Sequence, residues 1–239
     1  MATETAAQTA VEVFDLAAAP LRELNQRLHD LAGGVQGPRR WRVINPNGAH
    51  AVACGIDAEV EVEVEGHVGY YCAGMNKLAT VRVHGNAGPG VAENMMSGLV
   101  SVDGYASQSA GASGHGGLLV VQGDASARCG ISMKGIDIVV HGSVGHLSAF
   151  MAQTGRLVVC GDAGEALGDS IYEAQIYVRG EVAGLGADCV EKELRPEHAA
   201  ELRELLERAG MDDVDPADFN RYGSARQLYN FKVDNAGAY

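Results

Sequence analysis

Hydrophobic and polar positions repeat every 19 residues through the middle of the chain. A column of valines recurs at this spacing, and a glycine follows each valine two places later, with no insertion in seven rows. The valines are Val64, Val83, Val102, Val121, Val140, Val159 and Val178, and the glycines are Gly66, Gly85, Gly104, Gly123, Gly142, Gly161 and Gly180. Another apolar column lies two places before the valines. This alternation predicts one short strand per row, with one face turned inward.

A fixed period of this length indicates a solenoid. Nineteen residues are too few for a strand plus a full helix, but they suit one coil of a parallel β-helix. Small residues recur three and seven places after each column glycine, where the backbone turns a corner or neighbouring coils come close. We therefore predict an all-β fold, a right-handed parallel β-helix of about seven 19-residue coils, roughly 34 Å long at ~4.8 Å per coil. A leucine-rich repeat is excluded because its LxxLxL pattern and asparagine ladder are absent.

The segments on either side of the repeat predict caps for the open ends of the solenoid. Residues 1–40 predict a strand at Val11–Leu16 and a helix that starts at Pro20 and stops at Gly33. Residues 41–190 are predicted to form the β-helix, beginning with an irregular coil. Residues 191–239 predict a helix that opens at Pro196, followed by an aromatic tail. The apolar stripe of this second helix is Leu202, Leu205, Leu206 and Ala209, and Gly210 ends it.

One outward position changes character along the rod. Three places before the column glycine, the early rows carry Glu63, Arg82 and Ser101, whereas the later rows are apolar. Such an apolar ladder must be covered, either by the C-terminal helix or by a partner subunit. The tail aromatics likewise dock on their own rod or reach into a partner. The candidate partner interface comprises Val120, Val139, Val158, Tyr177, Tyr229 and Phe231.

Charge and composition exclude several classes of protein. A net charge of −13 argues against a nucleic-acid partner, which needs a basic footprint. No apolar run approaches the ~18 residues of a membrane span. The first twenty residues hold three carboxylates and no Lys or Arg, unlike a secretory signal. Five cysteines without CxxC spacing are typical of thiols in a reducing compartment, so we expect a cytoplasmic protein.

Reactive side chains in neighbouring rows would mark a catalytic cluster, and we predict none. His84 and His141 lie three rows apart, ~14 Å by stacking, too far to share a metal. Cys72 and Cys129 are also three rows apart and have no base nearby, which favours small buried hydrophobes. We predict no catalytic, cofactor-binding or metal-binding residue.

Carboxylates after the column glycine leave one alternative open. Asp162 and Glu181 occupy this position in adjacent rows, with Asp124 two rows before Asp162. Parallel β-helix enzymes that cleave polysaccharides use carboxylates on adjacent coils for acid–base work. No aromatic or basic residue repeats beside this pair to hold a sugar, so a stand-alone carbohydrate-active β-helix is the weaker hypothesis.

The G-xx-G-xxx-G rows, clearest at Gly161, Gly164 and Gly168, resemble the GXGXG family. That family includes the β-helical C-terminal domain of the glutamate synthase large subunit and a subunit of tungsten or molybdenum formylmethanofuran dehydrogenase. The flanking segments FDLAAAPLRELNQRLHDLA, RYGSARQLYNFK and VDNAGAY are similar to the small β-helical subunits of N-methylglutamate synthases. The second motif glycine is replaced by Ser107, Ser126 and Ala183 in three rows, which keeps the position small.

The resemblance implies a non-catalytic subunit of a glutamate-synthase-like complex. Such a complex converts methylamine and L-glutamate to N-methyl-L-glutamate and ammonia. The implied partners are an amidotransferase-like subunit and a synthase-like subunit that binds FMN and an iron–sulfur cluster, while this chain carries no cofactor. A β-helical subunit of another redox complex, such as formylmethanofuran dehydrogenase, is the alternative.

Overall fold

The computed structural model describes residues 11–227, so the predicted interface residues Tyr229 and Phe231 lie outside the described part. It contains eleven strands, two α-helices and two short 3-10 turns, at Ala32–Gly34 and Pro216–Asp218. The strands are β1 (Val11–Asp15), β2 (Arg40–Ile44), β3 (Glu61–Glu65), β4 (Thr80–Val83), β5 (Leu99–Val102), β6 (Leu118–Val121), β7 (Lys134–Val140), β8 (Thr154–Val159), β9 (Gln175–Val178), β10 (Cys189–Lys192) and β11 (Asn220–Ser224). The helices are α1 (Leu21–His29) and α2 (Pro196–Arg208).

All described strands belong to one sheet that winds as a solenoid. Strands β1 to β9 run parallel in chain order, and from β3 to β9 paired residues are 19 places apart. The exception is Lys134, which pairs with Thr154 across a register shift at the start of β7. A second parallel ladder of single bridges joins the coils from Val68 to Val182. The predicted fold of about seven coils is confirmed. At the far end the order changes, because β11 inserts between β9 and β10 and runs antiparallel to both.

The valine column forms the centre of a continuous apolar core. Its members are fully buried together with the column two places earlier, as the strand alternation predicts. The N-terminal end of this core is closed by α1, which buries Leu24 and Leu28. The guanidinium of Arg27 lies over the Trp41 ring at 4.9 Å and also faces Phe14. Both predicted helices are therefore present, with Pro20 and Pro196 at their starts.

The glycine column is explained by how closely consecutive coils approach. A Cβ on Gly85 would lie 2.7 Å from the carbonyl carbon of Gly66, and one on Gly161 would lie 2.7 Å from that of Gly142. These are backbone atoms that cannot move aside. The glycines bond directly to one another, as when the Gly161 N–H donates to the Gly142 carbonyl at 2.9 Å. Only a residue without a side chain fits between coils here.

The second corner of each coil is built from alternating left-handed residues. In one coil Leu147, Ala149 and Met151 have φ of 57°, 56° and 52°. Ala149 donates its N–H to the preceding coil, at the Cys129 carbonyl, while Leu147 and Met151 donate to the following coil. Backbone strain of this kind persists only where the surroundings fix it, and here each strained residue makes an inter-coil hydrogen bond.

Candidate functional site

The outward surface of the sheet divides into two halves. In the covered half, formed by β6 to β9, Val120, Val139, Val158 and Tyr177 are buried. The side chains above them come from α2 and the segment after it: Leu202, Leu205, Leu206, Ala209, Met211 and Phe219. The sequence predicts that either the C-terminal helix or a partner subunit covers this ladder. In the structure, the C-terminal helix of the same chain covers it.

Two of the tail aromatics also dock on this chain. Phe219 packs into the cluster beneath α2, and Tyr222 on β11 joins the main core. Tyr177 is fully buried, and its hydroxyl donates to Gln175 Oε1 at 2.7 Å. The four outward residues Val120, Val139, Val158 and Tyr177 thus form an internal interface between sheet and helix.

A partly buried ion pair stabilises this interface. Arg156 donates through Nε and Nη2 to the two Asp137 carboxylate oxygens, at 2.8 and 2.7 Å. The hydrogen bonds that Arg156 donates to Asp137 raise the pKa of Arg156. Arg208 of α2 approaches the same carboxylate at 3.8 Å. Two-point pairing of this geometry is among the stronger charged contacts in proteins, and it joins two coils to the helix above them.

The open half, formed by β2 to β5, is charged and has no described element above it. Its centre is His84, whose Nδ1 lies 2.7 Å from Asp103 Oδ2 and whose Nε2 contacts Glu63 Oε2. Arg82 pairs with the other Glu63 oxygen at 3.3 Å. Because carboxylates only accept, both ring nitrogens of His84 must donate, which requires the imidazolium. The hydrogen bond to Asp103, with that to Glu63, raises the pKa of His84 despite partial burial.

His141 has a different environment. It lies beside Ala209 at the end of α2, and burial lowers its pKa. Its Nε2 has no hydrogen-bond partner among residues 11–227. The two histidines therefore occupy separate halves of the sheet. Within the same residues, no three or more His, Cys, Asp or Glu side chains are grouped so as to hold a metal ion.

The position after the column glycine forms a ladder of hydrogen-bond acceptors. Asp124 Oδ1 accepts the Ser143 N–H at 2.8 Å, Ser143 Oγ accepts the Asp162 N–H at 2.9 Å, and Asp162 Oδ1 accepts the Glu181 N–H at 2.8 Å. His67 and Asn86 do the same in earlier coils. We call this set the acceptor ladder. The sequence alone suggested an acid–base role for these carboxylates. The signal for their structural role is that side chains able to accept a hydrogen bond occupy this position in most rows.

The cysteines lie where thiol chemistry is suppressed. Cys72 and Cys129 are fully buried, and burial raises the pKa of each thiol to about 12. Burial also raises the pKa of Cys189 to about 12 and that of Cys160 to about 11. All five cysteines are free thiols. Since the thiolate is the reactive form, these side chains act as small apolar groups at neutral pH.

Comparison with known proteins places the chain among its relatives. No family model matches it. A curated relative, Protein GlxC of Rhizobium meliloti (strain 1021), is 65% identical over 227 residues. The match covers 95% of this chain and 99% of the relative. The chain belongs to the GlxC family.

The sequence similarity to Protein GlxC extends beyond the coil repeat. A match over 95% of the chain takes in the segments that form α1 and α2 as well as the seven coils. The sequence similarity therefore includes the segments on either side of the coils as well as the coils. None of the helices among the described residues combines the length and apolarity needed to cross a membrane.

Proposed function

We propose that the chain is a non-catalytic structural subunit of a glutamate-synthase-like complex. This complex converts methylamine and L-glutamate to N-methyl-L-glutamate and ammonia. The chain holds an amidotransferase-like subunit and a synthase-like subunit with FMN and an iron–sulfur cluster in fixed relative positions. A rigid rod suits this role, because two active sites that exchange a small amine work best at constant separation.

One observation carries the proposal: most of the candidate catalytic side chains are hydrogen-bonded or buried within the coils themselves. Asp124 and Asp162 accept backbone N–H groups of the next coil. His84 joins three coils through two carboxylates, and the thiols of Cys72 and Cys129 are buried. Membership of the GlxC family and the resemblance of the flanking segments to small N-methylglutamate synthase subunits support the same proposal.

The test is a native pull-down of the tagged full-length chain from its own cells. Bound material is characterised by mass spectrometry, by its absorption spectrum and by an assay for methylamine-dependent N-methylglutamate formation. We expect amidotransferase-like and flavin/iron–sulfur partners together with this activity. A colourless homo-oligomer without partners contradicts the proposal. Tungsten or molybdenum in the bound material contradicts it in favour of a formylmethanofuran-type complex.

A second measurement separates scaffolding from catalysis. Asp162→Asn removes a carboxylate charge but keeps an oxygen that can accept the Glu181 N–H. If this residue is structural, the complex reconstituted with Asp162→Asn keeps its activity within about twofold. A loss of several hundredfold with assembly intact would assign Asp162 a chemical role and overturn the non-catalytic assignment. Asp124→Asn, in the same ladder two coils earlier, is the matched control.

A further inference from the structure

The two edges of the sheet are unequal. At one edge lies β10, which ends in the charged pair Glu191 and Lys192, a usual protection against unwanted strand pairing. At the other edge lies β1, whose outer side is paired with no residue of the described range. The outward side chains of β1 are Val11 and Val13, which are 50% and 55% exposed. Such an apolar edge can accept another strand.

The backbone N–H and C=O groups that point away from β2 belong to the same two residues, Val11 and Val13. Leu16 donates its N–H to the Ile44 carbonyl of β2 at 3.1 Å. In a parallel pair, alternate residues direct their N–H and C=O groups to opposite sides. Glu12 and Phe14 share the phase of Leu16 and face β2, so Val11 and Val13 direct their backbone groups away from it. Among residues 11–227, the open edge therefore combines backbone groups that have no partner strand with exposed apolar side chains.

The two carboxylates of β1 do not prevent another strand from pairing at this edge, because each is bound to other residues of this chain. Glu12 forms an ion pair with Arg27 of α1 at 2.5 Å. Asp15 Oδ1 accepts from Asn45 Nδ2 and from the Ala17 N–H, each at 2.8 Å. The hydrogen bond from Asn45, with that from Ala17, lowers the pKa of Asp15. Asp15 therefore keeps a negative charge at the end of the strand.

We infer that the outer edge of β1 receives an extended segment of a partner subunit, which adds a strand to the sheet. This inference rests on the proposed function, since it needs a complex. A row of unpaired N–H and C=O groups is matched only by another extended backbone. The segment carries apolar side chains at alternate positions beside Val11 and Val13, and a basic residue near Asp15. A second copy of this chain is disfavoured, because two chains of net charge −13 repel each other.

Hydrogen exchange of individual backbone amides tests the inference directly. In the isolated full-length chain, the amides of Val11 and Val13 should exchange rapidly, and in the complex they should exchange at least about a hundredfold more slowly. Glu12 and Phe14, whose amides face β2, are internal controls and should be slow in both. Slow exchange of Val13 in the isolated monomer would show that the chain covers its own edge and would overturn the inference. Unchanged, rapid exchange in the complex would also overturn it.

A proline substitution tests the same edge by affinity. Val13→Pro removes an N–H that faces away from β2, so the β1–β2 pairing is kept while the added strand loses a donor. We expect partner binding to weaken by at least about tenfold, because the carbonyl of the partner segment that faces residue 13 is buried without a donor. Val13→Thr is the matched control, since it keeps the N–H and the β-branched shape, and its affinity should stay within about twofold. If the proline variant melts early, the double variant Val11→Lys, Val13→Lys replaces it.

Each outcome of the binding experiment is decisive. Unchanged affinity of a folded Val13→Pro chain, in a wild-type complex that forms, overturns the edge assignment and leaves the proposed function standing. A wild-type chain that binds no partner subunit overturns both. A wild-type homodimer that Val13→Pro converts to monomer assigns the edge to a second copy instead.

Discussion

At the scale of single residues, the glycine column shows how closely packed coils determine residue type. In Gly142 an added Cβ would lie 2.9 Å from the carbonyl carbon of Gly123 and would also meet the Asp124 carboxylate. Asp124 is at the same time an acceptor for the Ser143 N–H. One methyl group would therefore disturb the direct glycine contact and the acceptor ladder together.

We expect Gly142→Ala to lower the free energy of unfolding by about 1–3 kcal/mol, because overpacking forces backbone atoms apart. Gly223→Ala is the matched control, since a Cβ there meets its nearest atom at an ordinary 3.7 Å. Urea unfolding of both variants and the wild type measures the difference. Equal stability of Gly142→Ala and Gly223→Ala would show that the coils can separate at no cost.

The imidazole of His84 makes stability depend on pH. Its pKa is raised, chiefly by the hydrogen bond to Asp103. A group whose folded pKa exceeds its unfolded value of about 6.5 contributes stability that is fully present below that value and is lost as pH rises through the folded pKa. The wild type should therefore exceed His84→Gln in stability by the greatest margin below about pH 6.5, and the margin should shrink above it.

Thermal unfolding of both proteins across this range measures the margin. His141 and His198, whose pKa values are lowered mainly by burial, titrate alike in the two proteins and drop out of the comparison. Asp103→Asn removes the largest cause of the shift and should narrow the pH window of the difference. A margin that does not change with pH would contradict the imidazolium assignment.

At the scale of elements, α2 covers the apolar outward face of β6 to β9. This face is therefore covered by the same chain and not by a partner subunit. Val139 and Val158 are fully buried beneath Leu202, Leu205 and their neighbours. A charge placed there would be buried without a partner, which is among the most damaging changes in a folded protein.

We expect Val139→Asp to destabilise the isolated chain by roughly 3 kcal/mol or more and to free α2 for proteolysis. Ser101→Asp is the matched control, because position 101 lies in the same outward column, two coils earlier, in the open half of the sheet. Limited proteolysis and a melting curve report the result. A Val139→Asp chain as stable and protease-resistant as the control would show that α2 does not cover the ladder in solution.

The elements differ in how well the sequence predicts them. The Val and Gly columns recur because each coil needs a side chain of the same size at the same place. The solenoid and its 19-residue register can therefore be predicted from Val64, Gly66 and their equivalents. The stripe from Leu202 to Ala209 predicts α2 but not its location. The insertion of β11 between β9 and β10 leaves no such signal, because Asn220–Ser224 pairs through backbone bonds that its side chains do not encode. The left-handed corners are equally hidden, since Leu147 and Met151 are not typical of such conformations.

At the scale of the whole molecule, the rod survives only if both ends of its core are closed. The N-terminal end depends on Leu24 and Leu28 of α1, and on Arg27 over Trp41. An uncapped solenoid exposes apolar core and associates end to end.

Leu28→Asp should therefore convert the isolated chain to oligomers or aggregates, because α1 can no longer close the core. Arg22→Asp, on the exposed side of the same helix, should leave the oligomeric state unchanged. Size-exclusion chromatography with light scattering distinguishes them. Identical elution of the two variants at the wild-type mass would show that α1 is dispensable for closing this end.

The acceptor ladder and the bonded glycines have a consequence for how this rod can change in evolution. Each coil forms similar hydrogen bonds with the next, so a complete 19-residue unit can be inserted or deleted without a change of register, whereas an insertion of one residue shifts the register where it falls, as at the start of β7. Rod length is therefore quantised in steps of ~4.8 Å. A subunit built in this way is a molecular ruler, whose length is set by the number of repeats.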